Sequence, residues 1–134
     1  MNSPNKIIQQ VANNVLIMKQ IDDIGKALTA FRMAAATQVA ATESGDYKKA
    51  NKAFDRIIQI LKYLKVLGKM NELEVLLSDS NVGVRMFAAY GLLPTSPKIA
   101  VPVLKEISHR EDIHSLTAKT TLEQWEQGTL IYPF

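Results

Sequence analysis

Residues that begin and end α-helices recur along the whole chain of 134 residues. Ser3-Pro4 and Ser96-Pro97 each place a capping residue before a proline, a pair that favours the start of a helix. Asp46 is a further capping residue, and Gly68 and Gly128 suit the left-handed turn that ends a helix. No segment alternates apolar and polar residues between hairpin turns, as a half-buried strand would. The sequence therefore predicts an all-α fold of stacked helical hairpins with about seven helices.

The third predicted helix, from Asp46 to about Leu67, has the clearest amphipathic pattern. Its apolar residues fall within an arc of about 120°, the width of a core-facing stripe. They are Ala50, Ala53, Phe54, Ile57, Ile60, Leu61 and Leu64. The other predicted helices run from Pro4 to about Gln20, from Ala27 to Ala41 after a cap at Asp22 or Asp23, from Asn71 to Ser78, from Val82 to Leu93, from Pro97 to Ser108, and from Ile113 to Gln127.

The composition is that of one soluble globular domain, residues 1–134. Cysteine is absent, which excludes disulfides, thiolate metal sites and thiol nucleophiles. No stretch resembles a secretory signal or is apolar enough to span a bilayer, so we expect a cytoplasmic protein. The net charge of +3 is compatible with nucleic acid or with an acidic protein as partner.

The segment from Leu73 to Leu93 resembles a HEAT repeat, a hairpin of two helices that stacks on its neighbours. A turn with Asp79 and Asn81 is followed by Arg85, and alanines on the second helix allow the two helices to approach closely. The following hairpin repeats this pattern weakly at an offset of about 29 to 30 residues, as stacked repeats would. The corresponding pairs are Leu77 and Ile107, Val84 and Ile113, Ala89 and Ala118, and Leu93 and Leu122.

Three segments, 45–55, 79–93 and 118–128, resemble a bacterial family described only as a domain of unknown function with an armadillo/HEAT-like fold. The resemblance covers residues 28–128, and the N-terminal helix in residues 1–25 lies outside it. It implies stacked helical hairpins and no established activity. His114 stands where a standard HEAT unit has an arginine, so the last repeat is degenerate. Some compact helical proteins of this kind are similar to immunity proteins, which neutralise a toxin.

Two polar groups are candidate binding sites for a partner. Tyr47, Asn51 and Asp55 follow one another at helical spacing along the edge of the third helix. They suit recognition or acid–base chemistry, or else they tie this helix to its neighbour by hydrogen bonds. Arg85 could hold a carboxylate or phosphate of a partner, or else brace its own repeat through a carboxylate such as Asp79.

The sequence contains little that catalysis or metal binding requires. His109, Glu111, Asp112 and His114 lie in one interhelix turn, but without the i, i+4 histidine pair or the HExxH pattern that fixes metal geometry. No serine lies in a nucleophile elbow, and there is no glycine-rich phosphate loop. We therefore expect a protein that is not an enzyme, with no metal and no other cofactor.

A basic face on the third helix offers an alternative site. Lys48, Lys49, Lys52 and Arg56 occupy its first half, and Lys62, Lys65 and Lys69 continue nearby. Most such runs are only solvated surface, although this one would suit an acidic protein or a phosphate backbone. Tyr47 and Tyr63 are the aromatic residues available there for base stacking.

Binding of another protein is the function that these observations favour, and a bacterial immunity protein that blocks a toxin is its most specific form. Nucleic-acid binding through the basic face is the alternative. If the toxin is basic around its own site, acidic side chains are the better contact candidates. These are Glu43, Asp46, Asp55, Glu72, Glu74 and Asp79. Trp125 is expected to anchor the last helix, and the apolar tail, residues 129–134, is expected to cover the end of the stack.

Overall fold

A computed structural model describes residues 4–134 of the protein, and every regular element in this range is a helix. This confirms the predicted all-α fold. The elements are α1 (Pro4–Ser44), α2 (Tyr47–Val66), a 3-10 helix (Met70–Ser78), α3 (Val82–Leu92), α4 (Pro97–Ser108) and α5 (Ile113–Gln127).

Local interactions mark several helix ends that the sequence predicts, although Ser96 forms no side-chain hydrogen bond at the start of α4 and Ser3 lies outside the described residues. The carboxylate of Asp46 accepts a hydrogen bond from the Lys49 amide at the start of α2. Gly45, Gly68 and Gly128 follow α1, α2 and α5 with φ angles of 78°, 67° and 72°, a left-handed conformation that glycine adopts without steric cost. Because each of these interactions spans only a few residues, the short-range sequence pattern is sufficient to place them.

α1 is one continuous helix of 41 residues, where the sequence predicts two helices. Asp22 does not cap a second helix. Instead its carboxylate pairs with Lys26 one turn later, at 3.0 Å, and supports the helix across the predicted break. The chain therefore has six helices between Pro4 and Phe134, because the first two predicted helices are one.

The body of the protein is a stack of three helical hairpins. α1 and α2 form the first hairpin, the 3-10 helix and α3 the second, and α4 and α5 the third. α3 packs against both α1 and α4 and so joins the three hairpins. One continuous core runs through the stack, and its fully buried side chains include Phe31, Leu61, Leu73, Leu92 and Leu104.

The apolar tail folds back onto the side of the stack. The Tyr90 hydroxyl of α3 donates to the Ile131 carbonyl oxygen at 2.9 Å, and the Tyr90 ring contacts Tyr132 and Phe134 at centroid distances of 6.0 and 5.5 Å. Burial raises the pKa of Tyr90 to about 12, with the neighbouring Tyr132 as a further cause. Trp125 is half-buried against the core. Trp125 packs against the core as predicted, whereas the tail, predicted to cover the end of the stack, contacts Tyr90 of the second hairpin instead.

The N-terminal half of α1 lies outside this core. Every side chain from Pro4 to Lys19 is exposed, and the first buried residue of the helix is Ile24. Large apolar side chains are numerous in the exposed half: Ile7, Ile8, Val11, Val15, Leu16, Ile17, Met18 and Ile21. Within residues 4–134, however, no helix has the combination of length and apolar character that a membrane span needs.

Candidate functional site: a basic groove between the first two helices

An open groove of about 830 Å³ lies between α1 and α2. We call it the basic groove. Its residues come from the second half of α1 and the first two-thirds of α2. They are Ala30, Met33, Ala34 and Thr37 of α1, and Lys49, Lys52, Ala53, Asp55, Arg56 and Gln59 of α2.

The groove exists because small residues face each other where the two helices pack. Ala30 and Ala34 of α1 lie opposite Ala53 of α2, and their methyl groups leave open space above the contact between the helices. Met33 is 67% exposed, so its thioether adds apolar surface along the α1 side. The floor and one wall of the groove are therefore apolar.

Cationic side chains line the α2 side of the groove. Lys49, Lys52 and Arg56 follow one another at spacings of three and four residues, which places them on one edge of the helix. Their side chains form no hydrogen bond and no ion pair with any residue of the described range, 4–134. Asp55 is the acidic residue of this groove and is likewise unpaired within that range. The positive charge of the rim is therefore available to a ligand.

A smaller hollow of about 390 Å³ continues the basic groove toward the middle of α1. It shares Ala30, Arg56 and Gln59 with the groove and adds Tyr63, which is 39% exposed. Asp23 and Lys26 line its α1 side. Together the two depressions form a channel between the first two helices.

The structure separates the three polar residues of α2 that were predicted to form one site, Tyr47, Asn51 and Asp55. Asp55 lies in the basic groove, whereas Tyr47 and Asn51 do not line it, and Tyr47 is 69% exposed. Within residues 4–134 neither the Asn51 nor the Asp55 side chain forms a hydrogen bond, so the predicted tie between helices is not found there. Of the alternative basic face, Lys49, Lys52 and Arg56 line the groove and Lys48 does not.

Asp79 and Arg85 form a structural clamp around the turn before α3. The Asp79 carboxylate accepts from the Asn81 amide at 2.9 Å and from Arg32 Nε of α1 at 2.6 Å. Arg85 donates to the carbonyl oxygens of Asp79 and Ser80, at 2.8 and 3.3 Å, and not to a carboxylate. The side chain that caps α3 is Asn81, and the carboxylate of Asp79 instead joins the turn to α1.

The surroundings of Asp79 stabilise its ionised form. The hydrogen bond from the Asn81 amide and then that from Arg32 hold the pKa of the carboxyl group below its usual range, although burial opposes them. A carboxyl group with a lowered pKa stabilises the fold above its unfolded pKa, and this contribution is lost as the pH falls through the folded value. Asp79 therefore stabilises the protein at neutral pH and less so in acid.

We expect Asp79→Ala to lower the free energy of unfolding by about 2 kcal/mol at neutral pH, because the Asn81 amide and Arg32 both lose their acceptor. Urea unfolding at pH 7 and at about pH 3 measures this loss, which should shrink in acid. Asp55→Ala is the matched control, with a change within about 0.5 kcal/mol. Equal losses for the two variants would contradict the role assigned to Asp79.

The acidic and histidine residues of the turn before α5 serve separate structural purposes. Asp112 caps α5 by accepting from the amides of His114 and Ser115. His114 is buried, and its Nε2 lies 2.6 Å from Glu43 Oε1 near the end of α1. His109 and Glu111 are exposed. Within residues 4–134, no three such side chains are grouped so that they could hold a metal ion.

The acidic residues proposed to contact a basic toxin lie on several elements of the fold. Asp46 and Asp79 are used in capping and in the clamp, and Glu43 pairs with His114. Glu72 and Glu74 lie on the 3-10 helix, and Asp55 lies in the basic groove. The basic groove instead brings three cationic side chains of α2 together beside alanines of α1. The sequence analysis did not predict the α1 side of the groove. Its signal in the sequence is Met33, a large side chain among the alanines of the predicted helix Ala27–Ala41.

We compared the chain with known protein families, with curated proteins and with solved structures, and none of them matches it. The resemblance to a family of unknown function accordingly stays a prediction. The proposals below rest on the geometry of this chain.

Proposed function

We propose that the chain is a non-catalytic cytoplasmic protein that binds another protein, and that the basic groove holds an acidic, amphipathic segment of this partner. The observation that carries the proposal is the apolar floor of the groove beside three cations without partners. An amphipathic helix recognises such a surface through apolar side chains in the groove and charged side chains at its rim.

The charges of the groove favour an acidic partner over a basic one. Lys49, Lys52 and Arg56 lie on the rim against the single carboxylate of Asp55. Acidic side chains flanking the apolar face of a partner helix would pair with these cations. Such pairs at the rim contribute mainly to the association rate and to specificity, while the burial of apolar side chains over the alanine floor supplies affinity.

Nucleic acid is the second candidate, favoured by the same cations and by Tyr63 in the adjoining hollow. Single-stranded nucleic acid needs a row of aromatic side chains for stacking, and duplex needs a broad positive surface. Tyr63 is the aromatic side chain that lines the channel, and Asp23 and Asp55 also line it. These features favour protein over nucleic acid.

The most specific form of the proposal is an immunity protein that binds and blocks a toxin. Blocking by occlusion requires a preformed surface and no catalytic residue, which suits a rigid hairpin stack. Because the basic groove brings cationic side chains together, an acidic part of the toxin would be its target. A partner recovered by binding can be tested directly, since a toxin would arrest growth when expressed alone and would not do so when co-expressed with this chain.

Reversal of the rim charges tests the proposal. We expect Lys49→Glu/Lys52→Glu/Arg56→Glu to lose at least tenfold in the capture of a protein partner from a nuclease-treated extract of the source cells. The matched control is Lys48→Glu/Lys105→Glu/Lys119→Glu, which makes the same change in net charge at exposed positions outside the groove. Quantitative mass spectrometry of the captured proteins measures both effects.

A parallel titration separates the two candidates. Fluorescence anisotropy with a generic DNA duplex at low salt is expected to show no binding by the wild-type chain. Binding that falls steeply with salt would favour nucleic acid, because phosphate contacts release counterions. Equal capture of the same partner by the groove variant and the control variant would overturn the assignment of the site.

A further inference from the structure

The exposed half of α1 carries an apolar stripe that nothing in the body covers. Ile8, Val11, Val15 and Met18 follow one another at spacings of three and four residues, within an arc of about 80° around the helix. They are 57% to 69% exposed. Ile7 and Ile21 lie along one side of this stripe, and the exposed Leu16 and Ile17 lie outside it. The spacing is that of the a and d positions of a two-stranded coiled coil.

The stripe faces away from the body of the protein. The core-facing residues of the second half of α1 include Ile24, Phe31 and Ala35. At 100° per residue the centre of the stripe lies roughly 150° around the helix from the centre of this core face. The hairpin stack of the same chain therefore cannot cover the stripe by extending along α1.

The sequence of the exposed half of α1 favours a helix only weakly, so this half needs a packing partner to be a stable helix. It is rich in isoleucine and valine, and in asparagine such as Asn13 and Asn14, all of which have modest helix propensity. A short helix with few tertiary contacts is marginally stable in water, since helical stability in proteins comes mostly from packing of an apolar face. Both the exposure and the composition point to a surface that is covered by another helix.

We propose that residues 4–23 pair with the same segment of a second copy of this chain as an antiparallel coiled coil. In this arrangement Ile8 faces Met18 of the second copy, and Val11 faces its Val15. Ile7 flanks Ile21 of the second copy along one side, and Asn14 lies close to the symmetry axis. Two-fold symmetry requires a self-complementary patch, and this stripe is nearly the same when it is followed in either direction.

The distribution of charge favours the antiparallel direction. No acidic residue occurs between Pro4 and Ile21, whereas Asp22 and Asp23 lie at the base of the segment. Antiparallel pairing brings these two carboxylates beside the first turn of the partner helix, where the helix dipole favours negative charge. Asp22 lies seven residues after Val15 and so continues the stripe. Parallel pairing would place it against Asp22 of the second copy, where the two like charges repel. It would also bring the two bodies to the same end.

The apolar area is sufficient for a modest dimer. The six apolar side chains of the stripe and its edges expose on the order of 500 Å² per chain, or about 1,000 Å² for two copies. With the flanking polar side chains, the interface reaches the lower limit for a specific complex, about 1,200 Å². The polar face carries amides such as Gln9 and Gln10 where a membrane-surface helix carries lysine and arginine. A second helix is therefore the better occupant.

Sedimentation velocity across about 1 to 200 µM protein tests the pairing, with a dissociation constant expected in the micromolar range. The mass should rise from 14.9 kDa toward twice that value. We expect Val11→Asp/Val15→Asp to weaken the dimer at least 100-fold. Gln9→Asp/Leu16→Asp, on the back of the same helix, should weaken it less than threefold. Thermal unfolding then shows whether the body stays folded in both variants.

Disulfide trapping tests whether the two helices run antiparallel. Because the chain has no native cysteine, only the introduced cysteines can form disulfides. Ile8→Cys and Met18→Cys proteins, when mixed and oxidised, should form the mixed disulfide in excess over either symmetric one. Dominant symmetric disulfides would overturn the antiparallel arrangement. The groove variant Lys49→Glu/Lys52→Glu/Arg56→Glu should dimerise normally, so the failure of one proposal is distinguishable from the failure of the other.

Two outcomes would overturn self-pairing altogether. One is a monomer at every concentration with helicity at 222 nm that does not change with dilution. The other is a monomer that gains helicity on vesicles of phosphatidylcholine and phosphatidylglycerol and binds them through the stripe, which would assign the stripe to a membrane surface. A dimer that tolerates Val11→Asp/Val15→Asp would equally reject the stripe as the interface.

Discussion

Phe31→Ala is expected to lower the free energy of unfolding by about 4 kcal/mol, the largest effect among the substitutions considered. Phe31 is fully buried where α1 meets the rest of the core. Truncation removes the transfer free energy of the ring and leaves a cavity that the surrounding helices fill only in part. Urea unfolding followed by circular dichroism measures the loss.

Met33→Ala is the matched control on the same helix. Met33 is 67% exposed on the rim of the basic groove, so its truncation should change stability by no more than about 0.5 kcal/mol. Comparable losses for the two variants would mean that α1 presents a different face to the core. The pair of substitutions thus tests the orientation of α1, on which both the groove and the dimer stripe depend.

Gly83→Ala is expected to destabilise the protein by about 3 kcal/mol, because α3 lies against α1 at this glycine with no room for a Cβ. A Cβ at position 83 would overlap the Val39 side chain and lie 3.0 Å from the Ala35 carbonyl oxygen. A backbone atom cannot move aside as the end of a flexible side chain can, so the two helices would have to separate. The midpoint of urea unfolding is the measurement.

Alanine substitutions at two other glycines provide comparisons for the effect of Gly83→Ala on stability. A Cβ at Gly91 would meet the ends of the Leu61 and Leu73 side chains, at 2.7 and 3.0 Å, so Gly91→Ala should cost only about 1 kcal/mol. A Cβ at Gly25 would meet no atom within 4 Å, and Gly25→Ala should stabilise the helix by about 0.5 kcal/mol. A neutral Gly83→Ala variant would show that α1 and α3 are not in contact there.

The repeat predicted from the sequence agrees with the core at most of its positions. Val84, Ala89, Ala118 and Leu122 are all buried in the second and third hairpins. Ile113, by contrast, is 43% exposed. The imidazole of His114, which corresponds to Arg85 in the repeat, hydrogen-bonds Glu43 of α1, whereas the Arg85 side chain bonds the turn of its own hairpin. The last hairpin therefore packs on the second hairpin but lacks an equivalent of the Arg85 clamp.

Short-range sequence patterns were sufficient to predict the helical class and most helix ends. The predicted cap at Asp46 bonds the amide three residues later, and the glycine at 128 ends its helix through its own backbone conformation, whereas Ser96, the cap predicted for α4, forms no side-chain hydrogen bond there. Such interactions are encoded within a few residues of sequence, so they do not depend on the rest of the fold. The predicted bounds of α5, from Ile113 to Gln127, agree with the structure for this reason.

The continuity of α1 could not be decided in the same way. Most of its apolar residues face one direction in the N-terminal half, with Leu16 and Ile17 as exceptions, and the opposite direction after Ile24. This change resembles a break between two helices. A helix can change its apolar face without a break when its two halves contact different neighbours. The neighbours of the second half are α2 and α3, and these contacts are properties of the fold.

The sequence by itself determined where most helices begin and end, which faces are apolar, and which lysines share an edge of α2. Only the tertiary structure decided that Arg32 reaches Asp79, 47 residues away, and that alanines of α1 and α2 leave the basic groove open. The physical reason is the range of the interactions. Caps and helical periodicity act within a few residues, whereas a groove and an interhelical ion pair depend on how whole helices pack.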